Sequence, residues 1–229
     1  RFRPHTFSEF LGQKHLLSEN QALRKAIETD QVPSLILWGP PGSGKTTLAH
    51  LISRYSQAAF VSFSAVVSGV PELRNIIKES IQRRRMSGQR TILFVDEIHR
   101  FNKAQQDAFL PYVERGDITL IGATTQNPSF EIIAPLLSRS IVVELHHLDE
   151  EVLGTILDRA LVDEERGLGK YHVTVSNEAR IELVSYGNGD ARSMLTALEY
   201  SVRQVATKDR TPQVLDQEKL KHILQKKTL

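Results

Sequence analysis

The stretch Leu35-Ile36-Leu37-Trp38-Gly39-Pro40-Pro41-Gly42-Ser43-Gly44-Lys45-Thr46 sets the reading of the whole chain. Its four apolar residues, bounded by Gly-Pro, read as a short buried strand. The next eight fit G-x-x-x-x-G-K-[ST], and over 46–55 the apolar Leu48, Ala49, Leu51, Ile52 and Tyr55 form one helical stripe. Strand, glycine-rich loop and helix together are the setting in which this motif binds phosphate. Glycines turn backbone N–H groups inward, and the helix N-terminus adds partial positive charge. Lys45 opposes that macrodipole in the first turn, at a cost of about 0.3–1 kcal/mol that a bound anion would relieve. The loop residues Gly39, Pro40, Pro41, Gly42, Ser43, Gly44, Lys45, Thr46 and Thr47 are therefore candidate nucleotide ligands. Thr46 also offers a hydroxyl to Mg²⁺.

Outward from the loop, short apolar runs at 60–63, 91–95, 118–123 and 141–145 alternate with helical patterns. This is the signature of βαβ units, so the expected fold is α/β with a five-stranded parallel sheet. Beyond 146–148 the segments 150–161, 177–186, 190–205 and 215–224 read as helices, with a glycine-containing loop at 163–171. Residues 1–146 are expected to form the nucleotide-binding domain, and 147–229 a small all-helical lid.

The 229 residues suffice for that arrangement. Composition is that of an ordinary globular chain, 40% hydrophobic and 24% charged, with no apolar run near the ~18–20 residues of a membrane span. The lack of cysteine excludes disulfides and thiolate metal sites. No signal-peptide pattern is present, so a cytoplasmic location is expected, or a nuclear one in a eukaryote. A net charge of +2 carries no argument for nucleic acid by itself.

The run 91–95 ends in Asp96-Glu97, two carboxylates at the carboxyl end of a buried strand, where α/β sheets bind ligands. Such neighbours repel, and near a dry core they call for a cation or a proton-transfer task. Asp96 is assigned to the Mg²⁺ shell and Glu97 to the attacking water as general base. The next strand delivers Thr124 and Thr125 to the same edge. Thr125 is favoured as the polar residue that orients water or the γ-phosphate, with Thr124 as fallback.

The chain resembles an AAA+ ATPase, more narrowly the RarA/MgsA family, bacterial relatives of Werner-helicase-interacting protein. The resemblance rests on Arg3-Pro4, Leu11-Gly12-Gln13, the phosphate loop, the run from Asp96-Glu97-Ile98-His99-Arg100-Phe101-Asn102 to Lys103, and Ala123-Thr124-Thr125-Gln126-Asn127-Pro128-Ser129-Phe130. It implies a DNA-dependent ATPase of replication-fork maintenance, recombination and repair, using ATP and Mg²⁺ at subunit interfaces. Arg139, in Leu136-Leu137-Ser138-Arg139, resembles the finger that reaches a neighbour's γ-phosphate. Arg192, in Gly189-Asp190-Ala191-Arg192, resembles the second sensor of the lid, and Gln13 falls where the family cradles adenine. Ser68, Gly69 and Arg74 correspond to the DNA-facing loop and helix, with Arg83-Arg84-Arg85 a further basic cluster. His146-His147 has no third metal ligand in sight. Implied partners are DNA junctions or ends, a single-stranded-DNA-binding protein and further copies of the chain. Tetramers in the family depend on a C-terminal helical region that this sequence is expected to stop short of. Two other readings stand beside this one: a clamp-loader or RuvB-like motor, and a scaffold that binds nucleotide without hydrolysing it.

Overall fold

The computed structural model describes residues 2–64, 70–207, 209 and 211–227. Five strands, β1 (Leu35–Trp38), β2 (Ala59–Ser64), β3 (Thr91–Asp96), β4 (Thr119–Thr124) and β5 (Ile141–Glu144), form one parallel sheet in the order β2-β3-β4-β1-β5. Helices α1 (Lys14–Leu17) and α2 (Ala22–Glu28) precede β1. Helix α3 (Lys45–Tyr55) joins β1 to β2, and α4 (Val70–Ser87) lies between β2 and β3. The short α5 (Lys103–Asp107) and α6 (Leu110–Glu114) lead to β4; α7 (Pro128–Glu131) and α8 (Ala134–Leu137) lead to β5.

Strand side chains alternate between two cores, as a pleat of period two requires. Leu35, Leu37, Ile92, Phe94, Ile121 and Ala123 pack with α3 on one face. Ile36, Leu93, Val95 and Leu120 pack with Leu73 and Ile77 of α4 and with Phe101 and Phe109 on the other. Burial on both faces explains why the strands are continuous apolar runs, each large side chain contributing about 1.5–3 kcal/mol. Gly122 serves the site directly: a Cβ there would stand 2.9 Å from Ile98 Cδ1 and 3.0 Å from Ile36 Cδ1. Its absence lets the turn after Asp96-Glu97 seat Ile98 on the sheet, where Ile98 is fully buried.

The C-terminal part comprises α9 (Glu150–Val162), β6 (Val173–Val175), α10 (Asn177–Gly187), α11 (Ala191–Val205), β7 (Gln213–Leu215) and α12 (Gln217–Lys227). It has its own core, built on Leu153, Leu157, Leu183, Met194, Leu198 and Leu220. It is helical as expected, with one correction to the all-helical reading: β6 and β7 pair in parallel. Strands of three residues carry too little pattern to be seen in sequence. Leu215, read as the start of a helix, ends β7 instead.

Candidate active site

The order β3-β4-β1 brings three carboxyl ends side by side, so the acidic pair, Thr124 and the phosphate loop share one edge of the sheet. The loop begins with Gly39, whose N–H donates to Thr124 O at 3.3 Å. Gly42 takes φ +67°, and a side chain there would collide with Asp190, the cap of α11. Only glycine satisfies both the backbone and that close approach. The Ser43 hydroxyl donates to Pro40 O at 2.8 Å and tightens the loop.

Lys45 opens α3 and is 8% exposed, its ammonium donating to Gly39 O at 2.7 Å and Pro40 O at 2.8 Å. Burial holds this amine below the ordinary lysine pKa. The carboxylates of Glu97 and Asp96 pull it upward, Arg192 pushes it down and Asp190 raises it. One ammonium thus feels charges carried by β3, by the residue after it and by α11. Asp190 caps α11 through Oδ1, which accepts from Arg192 N at 2.7 Å and Ser193 N at 3.0 Å. The exposed Arg192 follows in the first turn, opposing the dipole as Lys45 does.

Gln13 is the residue whose part in this arrangement sequence reading does not anticipate. It is 6% exposed, with φ +53°, and its amide nitrogen donates to Ser43 O at 3.2 Å and His146 O at 2.7 Å. Its amide oxygen accepts from His146 N at 3.0 Å. The side chain thereby ties the phosphate loop to the segment leaving β5. His146 also stacks on His15 with ring centroids 4.2 Å apart. Among the described residues no group of three or more His, Cys, Asp or Glu could hold a metal. Magnesium does not need such a group, since a hydroxyl, a carboxylate, water and phosphate oxygens suffice. Thr46, in the first turn of α3, and Asp96, at the end of β3, are the hydroxyl and carboxylate expected from the sequence for such a set.

Glu97 stands in the left-handed region at φ +55°, where a non-glycine residue is uncommon and marks a constrained position. Beyond it, Asn102 and Gln105 form a capping box at the start of α5. The buried Gln106 amide donates to Phe101 O at 3.0 Å and Glu131 O at 2.8 Å, and accepts from Ile133 N at 3.0 Å. That pins the segment carrying Arg139 to the segment carrying Glu97. Arg139 lies just past α8, donating to Pro135 O at 2.9 Å and pairing with Glu114 of α6 at 2.6 Å. The structure therefore holds it on α6 rather than on its own phosphate loop.

Thr124 ends β4 fully buried, while Thr125, favoured in sequence, lies one residue past the strand and is half-buried. Arg74 is exposed on α4; Ser68 and Gly69 lie outside the described residues. Two of the three arginines at 83–85 have local partners at the amino edge of the sheet, away from the phosphate loop. Arg83 donates to Thr91 Oγ1 at 2.9 Å, and Arg84 meets Gly116 O and Asp117.

Loop, sheet order and acidic edge together define a P-loop nucleotide-binding module. The family model "ATPase family associated with various cellular activities (AAA)" matches residues 35–146, and "AAA C-terminal domain" matches 169–229. Replication-associated recombination protein A of Escherichia coli is 48% identical over 97% of this chain, which spans 50% of that protein. The protein of the same name from Coxiella burnetii is 52% identical over 87% of this chain and 44% of its own length. For ATPase WRNIP1 of Dictyostelium discoideum the values are 40%, 89% and 23%. Among solved structures, the RuvB Holliday junction branch migration motor of Thermotoga maritima superposes with a TM-score of 0.75 at 28% identity, over 97% of this chain and 72% of that one. The chain belongs to the AAA family of ATPases, in the branch of the replication-associated recombination A proteins and WRNIP1. It spans about half the length of the Escherichia coli and Coxiella burnetii proteins. No helix among the described residues is long and apolar enough to cross a membrane.

Proposed function

We propose that this chain binds ATP with Mg²⁺ and hydrolyses it as one module of an oligomeric, DNA-dependent ATPase of replication-associated recombination and repair. The observation that carries the reading is the convergence on Lys45 of Asp96, Glu97, Asp190 and Arg192, a buried cation among groups suited to a metal nucleotide. The names of the relatives support the biological setting. In this reading 1–146 is the nucleotide domain and 147–229 the lid.

The reaction is in-line attack of water on the γ-phosphate. Lys45 neutralises charge on the β- and γ-phosphates, and the loop N–H groups hold them in line. Thr46 and Asp96 would hold the Mg²⁺, which when bound would offset the negative charge of the phosphates. Glu97 accepts the proton of the attacking water, and Thr125 or Thr124 orients the γ-phosphate from the end of β4. Arg192 senses the nucleotide from α11. Arg139 acts in trans: it releases Glu114, an exposed pair worth only about 0–1 kcal/mol, to reach the phosphate of a neighbouring subunit.

Phosphate release by the full-length protein tests this reading. Turnover should rise when duplex ends, forks, gaps or single strands are added, and the stimulation should weaken with salt as phosphate contacts are lost. No phosphate release under any of these conditions would favour a non-hydrolysing scaffold instead.

A further inference from the structure

His99 sits in the single helical turn Ile98–Arg100 directly after the acidic pair. Its side chain is only 5% exposed, and both ring nitrogens face polar partners. Nε2 lies 3.3 Å from Glu97 Oε2, and Nδ1 lies 2.9 Å from the Thr124 hydroxyl. A carboxylate can only accept, so Nε2 carries the hydrogen toward Glu97, while Nδ1 shares its contact with a Thr124 hydroxyl that also reaches Gln126 O at 3.2 Å. The Thr124 hydroxyl in turn accepts from Gln126 N at 3.0 Å, and its own carbonyl accepts Gly39 N of the phosphate loop. An unbroken series of contacts runs from the Glu97 carboxylate through His99 to β4 and the first residue of the loop.

We infer that His99 is a positioning residue: it aims the Glu97 carboxylate and couples that aim, through Thr124, to the phosphate loop. Three features support the assignment. Glu97 needs outside support, since its backbone occupies the left-handed region without a glycine's freedom. The imidazole is buried with a polar partner at each nitrogen, so leaving this position would forfeit both contacts. Gly122 fixes the turn carrying His99 by admitting Ile98. A 3.3 Å contact is long for a charge-assisted hydrogen bond, as expected of a catalytic contact that tightens when phosphate is in place.

The inference rests on Glu97 being the general base, and its test separates the two. In full-length protein, His99→Phe keeps the ring volume and loses both contacts. His99→Gln places an amide near Nε2 and keeps a donor to Glu97. His99→Asn reaches only the Nδ1 position and Thr124. The expected result is that kcat falls about tenfold to a hundredfold in His99→Phe and His99→Asn while nucleotide affinity stays at the wild-type value, because a misaimed group costs rate and not binding. His99→Gln should recover most of the turnover, and His99→Phe should cause no further loss in a Glu97→Gln background. Wild-type kcat in His99→Phe, or a parallel fall in affinity, would overturn the proposal. Should His99→Phe fail to fold in a melting experiment, the remaining pair decides, since equal kcat in His99→Gln and His99→Asn is equally fatal. If Glu97→Gln alone turns over at the wild-type rate, the base assignment fails and this inference falls with it. If Glu97→Gln is inactive and His99→Phe is not, only the inference fails.

Discussion

Replacing Lys45 with methionine is expected to weaken ATP binding by about 1.5–3 kcal/mol, roughly tenfold to a hundredfold, the range of a charge-assisted hydrogen bond. Methionine fills the space of the buried stem and removes only the ammonium. Stability without nucleotide should change little, because two opposing effects attend the substitution. The hydrogen bonds to Gly39 O and Pro40 O are lost, each worth about 0.5–1.5 kcal/mol net. The desolvated charge at a helix N-terminus is lost as well, and that charge is unfavourable in the absence of an anion. The pH dependence has a definite sign. Burial lowers the folded-state pKa of Lys45, so its penalty is fully present below that lowered value and fades as pH rises toward the ordinary lysine pKa. Methionine carries no such penalty, and the difference in melting temperature should move in favour of the wild type as the solution becomes alkaline. Equilibrium titration checks the affinity; wild-type binding by the variant would remove Lys45 from the site.

Glu97→Gln should show the opposite pattern. The amide is nearly isosteric and preserves the packing of the turn, yet it cannot accept the proton of the attacking water. Loss of a general base costs on the order of 10²–10⁴ in turnover. Nucleotide should bind at least as tightly as to the wild type, because one negative charge facing the phosphates has gone. Removing that carboxylate also withdraws the leading influence that raises the Lys45 pKa, although it leaves Asp96 in place. A single-turnover measurement with bound ATP separates the effects: trapped, unhydrolysed nucleotide is the expected result, and phosphate release at the normal rate would refute the base assignment.

The residues that act within one βαβ unit were legible, and those that act across the fold were not. Gly39 to Thr46 carry strand, loop and helix signals within one short span, and Asp96-Glu97 follow an unbroken apolar run. These are local patterns imposed by burial on both sheet faces. The cap of α11 is local in the same way, an aspartate standing directly before a helical stripe. The clamp of Gln13 on His146 joins distant segments that meet only when the sheet closes, and no local pattern announces it. The contact of Asp190 with Gly42 is of the same kind. His99 was in plain view within the acidic motif, but its link to Thr124 depends on the β3-β4 adjacency. The pair β6-β7 escaped because three-residue strands have no period to read.

In the proposed mechanism Arg139 serves a neighbouring subunit, and within its own chain it meets Glu114, Pro135 and Ser138. Loss of that exposed ion pair should cost the fold little, so Arg139→Ala isolates a role in catalysis. The most direct test is to mix two variants of the full-length protein, Lys45→Met and Arg139→Ala, each expected to be inactive alone, and to measure ATP turnover of the mixture. In a mixed assembly an intact phosphate loop from the second variant meets an intact arginine from the first. Turnover that appears only on mixing is the predicted result. A mixture as inactive as its components, or full turnover by Arg139→Ala alone, would contradict an active site shared between subunits.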